Sequence, residues 1–264
     1  VLFMLKIEKG RIPWRVDLNF SEYGNHVGVY AYVRSFWTGK ALLGGREWQV
    51  GWIPGAERRY GMAQNDFFLL RDWSERDVSF TTSDGPLDAF VFPKKVFLQT
   101  AMYEVAREQV LDGDSLRQQL IFRARPAELG QVNVSGQFIK RLVLTDGPCV
   151  AVFDAPQGTL RAPAGKYGRH HVQLGKGDSL AYLDESPKPA LVVTTNQPVT
   201  LVAGGPLTNS ATFSRRGNHL EISYQLLGAG GGLYAQATRS YENPPRFTVY
   251  EGDRNIGSGK FEFG

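Results

Sequence analysis

The 264-residue sequence predicts an all-β fold, with two or three antiparallel β-sandwich-like units and little helix. Three observations lead to that prediction. Apolar and polar residues alternate along many segments, turns containing glycine or aspartate separate these segments, and helical periodicity is scarce. Alternation with a period of two is typical of half-buried strands, because successive side chains of a strand point to opposite faces.

The alternation is clearest in four segments, two near the start of the chain and two near its end. They are "WRVDLNF" (14–20), "HVGVYAYV" (26–33), "HLEISYQL" (219–226) and "RFTVYEG" (246–252). Apolar side chains recur at every second position along most of each segment. One solvated face and one buried face are characteristic of antiparallel sheets.

Three turns have the composition of β-hairpins. Gly44-Gly45 interrupts "ALLGGREWQVGWI", Asp146-Gly147 interrupts "RLVLTDGPCVAVF", and Gly252-Asp253 interrupts "VYEGDRNIGSGKFEF". Glycine supplies the positive φ angles that tight hairpin turns need. We therefore expect a strand on each side of every one of these turns.

One segment allows either helix or strand. "TAMYEVAREQVLDGDSLRQQLIF" (100–122) contains helix-forming residues, but Gly113 interrupts it. The alternative is two strands joined by an Asp-Gly turn. The sequence leaves both open, and we expect at most one or two short helices.

The distribution of tryptophan and proline predicts three regions. All five tryptophans precede residue 74, and a polar stretch with prolines, "DESPKPA", covers 184–190. We expect an aromatic-rich N-terminal β domain at 1–125, a middle sandwich-like unit at 126–187 and a C-terminal one at 188–264.

Composition excludes several classes of protein. Hydrophobic residues make up 42% of the chain, which argues against disorder, and the net charge of +4 is spread over interspersed residues, so we expect no nucleic-acid partner. A single cysteine excludes an intrachain disulfide and a cysteine-rich zinc site. No apolar run reaches the length of a membrane span. The start at Val1 rather than methionine predicts a processed or trimmed N-terminus.

A glycine-rich run, "LLGAGGGLY" (226–234), is the first candidate for a phosphate-binding loop. It lacks the Lys-Ser/Thr of a P-loop, and Leu233 stands where the dinucleotide fingerprint needs its third glycine. We therefore predict no cofactor here, but a tight turn or a close approach of a neighbouring strand.

Other residues with chemical potential give no recognised motif. His170 and His171 lie in a predicted strand, where adjacent side chains point to opposite faces, so we expect no shared metal, one histidine exposed and one packed. Cys149 precedes an apolar strand and is expected to be buried. No serine-hydrolase elbow is present, and we predict that the protein is not an enzyme.

Carboxylates keep one enzymatic alternative open. Asp84, Asp88, Asp112 and Asp114 lie close together in pairs, and a polysaccharide hydrolase needs two opposed carboxylates. Aspartate beside glycine is foremost a turn former, so we favour turns at these positions.

The aromatic cluster of the N-terminal region is the candidate ligand-binding site. Trp37, Trp48 and Trp52, with Arg46 beside them, could present stacking surfaces to a sugar. The alternative, which we favour, is that these rings form the core of a small sandwich.

The C-terminal half resembles a known group of proteins. "LVAGGPL", "NHLEISYQLLGAGGGLYAQ", "PPRFTVYEGDRNIGSGKFEFG" and "GTLRAPAGKY" are similar to the ends of uncharacterised multi-domain β proteins of environmental bacteria. The resemblance rests on turn and strand residues. It implies an exported, envelope-associated β protein and transfers no activity to any residue.

These observations predict a non-enzymatic structural or adhesive protein, secreted or in the cell envelope. It would associate with copies of itself or bind envelope polysaccharide, and in a fibre the contacts would run head to tail. A carbohydrate-binding module that uses the tryptophans and a carboxylate-dependent polysaccharide hydrolase are the alternatives.

Overall fold

The computed structural model describes residues 2–4, 8–9, 37–53, 67–72, 89–112, 115–177, 179–185, 189–217, 219–236 and 246–261. These residues contain strands, turns and a single 3-10 turn at Ala229–Gly231, and no α-helix. The strands belong to several sheets, most of them antiparallel. The predicted all-β fold of sandwich-like units is therefore confirmed.

The strands, in chain order, are β1 (Leu2–Met4), β2 (Glu8–Lys9), β3 (Trp37–Leu43), β4 (Arg46–Ile53), β5 (Phe67–Asp72), β6 (Ala89–Val91), β7 (Lys95–Leu98), β8 (Ala101–Asp112), β9 (Ser115–Arg125), β10 (Leu129–Ser135), β11 (Ile139–Thr145), β12 (Cys149–Asp154), β13 (Gly158–Pro163), β14 (Gly165–Tyr167), β15 (Arg169–Lys176), β16 (Ser179–Glu185), β17 (Leu191–Val193), β18 (Val199–Val202), β19 (Thr208–Arg216), β20 (His219–Leu227), β21 (Leu233–Gln236), β22 (Arg246–Glu251) and β23 (Arg254–Lys260).

The described residues form two compact units. Unit 1 contains the described residues up to Glu128 together with Thr145–Val152. Unit 2 contains Leu129–Leu144 and the described residues from Phe153 onward. The chain thus enters each unit more than once. The division into three regions at 1–125, 126–187 and 188–264 stays a prediction.

Unit 1 combines two sheets. One has the order β2-β3-β4-β5-β6, and the other has the order β1-β9-β8-β7-β12. Phe68 of the first sheet packs against Phe122 of the second, with ring centroids 6.2 Å apart. The backbone N–H of Gly44 donates a hydrogen bond to the Tyr103 hydroxyl at 2.7 Å, which fixes the β3–β4 turn against β8.

The ambiguous segment 100–122 forms a hairpin rather than a helix. β8 and β9 pair without a break from Met102↔Arg125 to Asp112↔Ser115. On one face the carboxylate of Glu104 pairs with Arg125 at 2.8 Å, and this guanidinium lowers the pKa of Glu104. The strand alternative of the sequence analysis is therefore confirmed.

All three predicted turns lie between strands. Leu43 pairs with Arg46 across Gly44-Gly45, and Glu251 pairs with Arg254 across Gly252-Asp253. Asp146-Gly147 lies between β11 and β12. The segments 219–226 and 246–252 fall in β20 and β22 as predicted, whereas 14–20 and 26–33 lie outside the described residues.

Unit 2 has a core built from several small sheets and one larger one. In the larger sheet the order is β11-β15-β16-β21-β20-β19, and β10 lies between β13 and β18 in a three-stranded sheet. Val132, Leu142, Tyr167 and Val172 are fully buried. Burial falls toward the end of the larger sheet, where most residues of β19 are exposed.

Candidate interaction surface

Trp48 belongs to the core of unit 1. Its side chain is 1% exposed, and its indole N–H donates a hydrogen bond to the carbonyl of Leu43 at 3.2 Å. The Arg46 guanidinium lies 5.0 Å from the centre of the ring. A sugar-stacking role needs an exposed ring face, so for Trp48 the structure supports the core alternative.

The other members of the aromatic cluster are placed only in part. Trp37 and Trp52 are opposite each other in the β3–β4 pair, but their side chains lie outside the described residues. Arg46 is half-buried, on the same face as Trp48. A ligand-binding role for these three residues stays a prediction.

The glycine run is a point of close backbone contact within unit 2. A Cβ atom at Gly228 would collide with the ring of Tyr234, and one at Gly230 would lie 2.5 Å from the carbonyl oxygen of Val202. Gly230 also has a φ of +80°, which disfavours any side chain. The predicted close approach of a neighbouring strand is therefore confirmed.

Hydrogen bonds hold this contact together. The N–H of Ala229 donates to the carbonyl of Gly204 at 2.8 Å, and the N–H of Gly204 donates to the hydroxyl of Tyr234 at 2.7 Å. The run lies against the β18–β19 connection, and its Gly228, Ala229 and Gly231 N–H groups donate to backbone carbonyls. Its glycines thus have a packing role in this fold.

The two adjacent histidines are less exposed than expected. They alternate in β15 as predicted, but His170 is buried and His171 is half-buried, so the expectation that one would be exposed is wrong. Burial lowers the pKa of both imidazoles, and the neighbouring His171 lowers that of His170 further. In β15 buried positions alternate with half-buried ones, so neither ring is exposed.

Cys149 is buried at the start of β12, as predicted. Burial, reinforced by the carboxylate of Asp146, raises the pKa of its thiol to about 12. The backbone N–H of Cys149 also donates a hydrogen bond to Asp146 Oδ1 at 2.9 Å, which closes the turn. A thiol with such a pKa is a poor nucleophile at neutral pH.

The hydrolase alternative depends on the positions of four aspartate side chains. The side chains of Asp84, Asp88, Asp112 and Asp114 lie outside the described residues. Within the described residues, no group of three or more His, Cys, Asp or Glu side chains is arranged to hold a metal ion.

The most unusual surface is the edge of β19. Among the described strands β19 pairs only with β20, through nine consecutive residue pairs without a bulge. Eight of its nine residues are exposed. Every other strand that ends a sheet in the described part of the chain has seven residues or fewer.

This edge lacks the features that usually prevent edge-to-edge pairing. Natural edge strands are kept apart by short length, proline, bulges or inward-pointing charges. β19 has the sequence "TNSATFSRR", in which charge appears only at the last two positions. No described strand pairs with its outer side, so within the described part of the chain its backbone offers a template for another strand.

The turn geometry tells which backbone groups point outward. Two residues connect Arg216 to its partner His219, and Gly217 has a φ of +61°. The residues flanking a two-residue hairpin turn bond to each other, and hydrogen-bonded pairs alternate with non-bonded pairs along the ladder. Four residues of β19 therefore point their backbone N–H and C=O groups away from β20. These outward-facing residues are Asn209, Ala211, Phe213 and Arg215.

One face of the β19–β20 hairpin is apolar and half covered. At its inner end Tyr224 contacts Phe261, with ring centroids 5.4 Å apart, and donates a hydrogen bond to Asn209 Oδ1 at 2.7 Å. At its outer end Phe213 is 65% exposed and Leu220 is 51% exposed. This β19 edge with its outer apolar residues is the candidate interaction surface.

Sequence reasoning missed this surface. It selected the tryptophans, whereas the largest exposed aromatic ring on the β19 edge is Phe213. The available signal was the segment "TFSRRGNHLEI", in which Gly217 and the alternation on both sides indicate a hairpin. Which strand ends a sheet, however, depends on long-range pairing.

The comparisons with known proteins add no relative. No protein-family model, curated protein or solved structure matches the chain. The part of the chain that the structure describes also contains no helix that could cross a membrane.

Proposed function

We propose that the chain is a non-enzymatic structural or adhesive β protein that associates with copies of itself through the edge of β19. The observation that carries the proposal is the nine-residue, bulge-free strand at the end of its sheet. An exposed edge offers a row of backbone donors and acceptors to a second strand.

Apolar area at the same edge supports self-association. Phe213 and Leu220 are both more than half exposed, next to a backbone that can pair. Burying large apolar side chains contributes roughly 1.5–3 kcal/mol each when burial is complete. Strand pairing would supply the direction of the contact, and the apolar side chains would supply much of its free energy.

The two alternative functions receive less support. Stacking of sugars on Trp48 conflicts with its burial, and no described carboxylate pair favours a polysaccharide hydrolase. Secretion or residence in the cell envelope remains part of the proposal, on the resemblance of the C-terminal half. Envelope polysaccharide remains the second proposed partner, through Trp37, Trp52 and Arg46.

The test is the mass of the protein in solution. Size-exclusion chromatography with light scattering should show dimers whose fraction rises with concentration. Phe213→Lys should shift the equilibrium to monomer, because it places a charge at the pairing edge. Tyr250→Lys is the matched control, since Tyr250 is also an exposed aromatic, at 62%, but lies on β22. Wild-type protein that stays monomeric at its highest soluble concentration would refute the proposal.

A further inference from the structure

We propose that two copies pair β19 against β19 in an antiparallel sense, about a two-fold axis that passes beside Thr212. The inference rests on the proposed self-association and adds its register and symmetry. The partner is thus a second copy of this chain, joined through the same nine residues.

Backbone geometry restricts the registers that are open to such a pair. In an antiparallel ladder the two residues of a hydrogen-bonded pair exchange two bonds, from the N–H of each residue to the C=O of the other. Outward-facing residues of one copy must therefore oppose outward-facing residues of the other. A two-fold axis satisfies this condition only when one residue lies opposite its own copy.

An axis at Thr212 gives the greatest overlap. Thr208 then lies opposite Arg216 of the second copy, so all nine residues of β19 are paired. All four outward-facing residues of each copy find partners, which gives about eight intermolecular hydrogen bonds. Moving the axis to Phe213 would leave Asn209 opposite the turn and remove about two of these bonds.

The side chains fit this register. Phe213 lies opposite Ala211 of the second copy, so a large ring meets a small side chain on the apolar face. Arg215 lies opposite Asn209, and therefore no two arginines oppose each other. Like charges directly opposite would be destabilising, whereas paired threonines such as Thr212 with its copy are favourable.

The opposite face of β19 carries small polar side chains that also fit this register. Ser210 lies opposite Ser214 of the second copy, and both belong to non-bonded pairs together with Thr212. In such pairs the Cα atoms are about 4.5 Å apart. That separation lies within the range that a disulfide bond can bridge.

Single cysteines on β19 test the register directly. Thr212→Cys should form a disulfide-linked dimer under mild oxidation. Ser210→Cys alone should not, because its Cα would lie about 14 Å from its own copy, and the same holds for Ser214→Cys. An equimolar mixture of the Ser210→Cys and Ser214→Cys proteins should cross-link again. Wild-type protein, with only the buried Cys149, is the control for background oxidation.

The outcomes separate the register from the self-association. A dimer by light scattering in which Ser210→Cys or Ser214→Cys cross-links alone, or in which Thr212→Cys does not, would overturn the two-fold register and leave the self-association standing. Absence of any dimer would overturn both. Circular dichroism of each variant checks that the fold tolerates cysteine at Thr212 and Ser214, which are exposed, and at Ser210, which is half-buried.

Discussion

Alanine at Gly230 tests whether the glycine run holds unit 2 together through close backbone contact. Gly231 provides a matched control, because its φ of +77° is close to the +80° of Gly230. A Cβ at Gly231 meets nothing within 4 Å, whereas one at Gly230 lies 2.5 Å from the Val202 carbonyl oxygen. The two variants therefore differ in the contact and share the backbone strain.

The expected magnitudes follow from these terms. A left-handed alanine costs about 1–2 kcal/mol at either position. At Gly230 the loop must also move away from β18, which breaks the Ala229–Gly204 hydrogen bond and leaves a carbonyl group without its partner, for about 1–3 kcal/mol more. We expect Gly230→Ala to be less stable than Gly231→Ala by about 2 kcal/mol.

The measurement is urea unfolding followed by far-ultraviolet circular dichroism. Both variants add the same methyl group, so effects on the unfolded chain cancel in the comparison. Equal losses of unfolding free energy, within about 0.5 kcal/mol, would show that the contact contributes nothing. A larger loss at Gly231 would contradict the assigned geometry.

Two further predictions concern buried charge. Asp154→Ala should lower the unfolding free energy by more than Glu108→Ala does, because it removes a 3.0 Å partner of the Arg141 guanidinium, which is only 5% exposed. Glu108→Ala breaks an exposed ion pair and should cost less than about 1 kcal/mol in the same urea titration. The lowered pKa values of His170 and His171 mean that the unfolded chain takes up protons first as the pH falls below about 6.5. Stability should therefore be full above that pH and decline below it, and replacing both histidines by glutamine should flatten the decline measured by thermal unfolding at pH 5–7.

Local chemistry explains why the hairpins could be predicted from the sequence. Gly44-Gly45 and Gly252-Asp253 satisfy the dihedral angles of tight turns, and alternating residues on both sides need only short-range pairing. The β8–β9 segment was ambiguous because its residues suit a helix as well as a strand. Pairing of β8 with both β7 and β9 decides it, and that pairing depends on the whole sheet.

Burial could not be predicted with equal success. Trp48 and Phe213 are both large aromatic residues in alternating segments, yet one is 1% and the other 65% exposed. The difference lies in what covers each strand: β4 lies between β3 and β5, whereas β19 has β20 on one side only among the described strands. Sequence periodicity reports a face of a strand but not the position of the strand in its sheet.

The symmetry of the proposed contact bears on the kind of structural role. A two-fold pair uses the same edge of both copies, so it closes at two copies and leaves no further β19 edge to extend. A head-to-tail fibre would need a different surface on each side of the contact. Under the proposed pairing the mass should therefore rise with concentration to twice the 29.4 kDa of the chain and stop there. A plateau at that mass favours an adhesive dimer. If the mass instead grows beyond the dimer, and Phe213→Lys abolishes that growth, β19 pairs with a different edge.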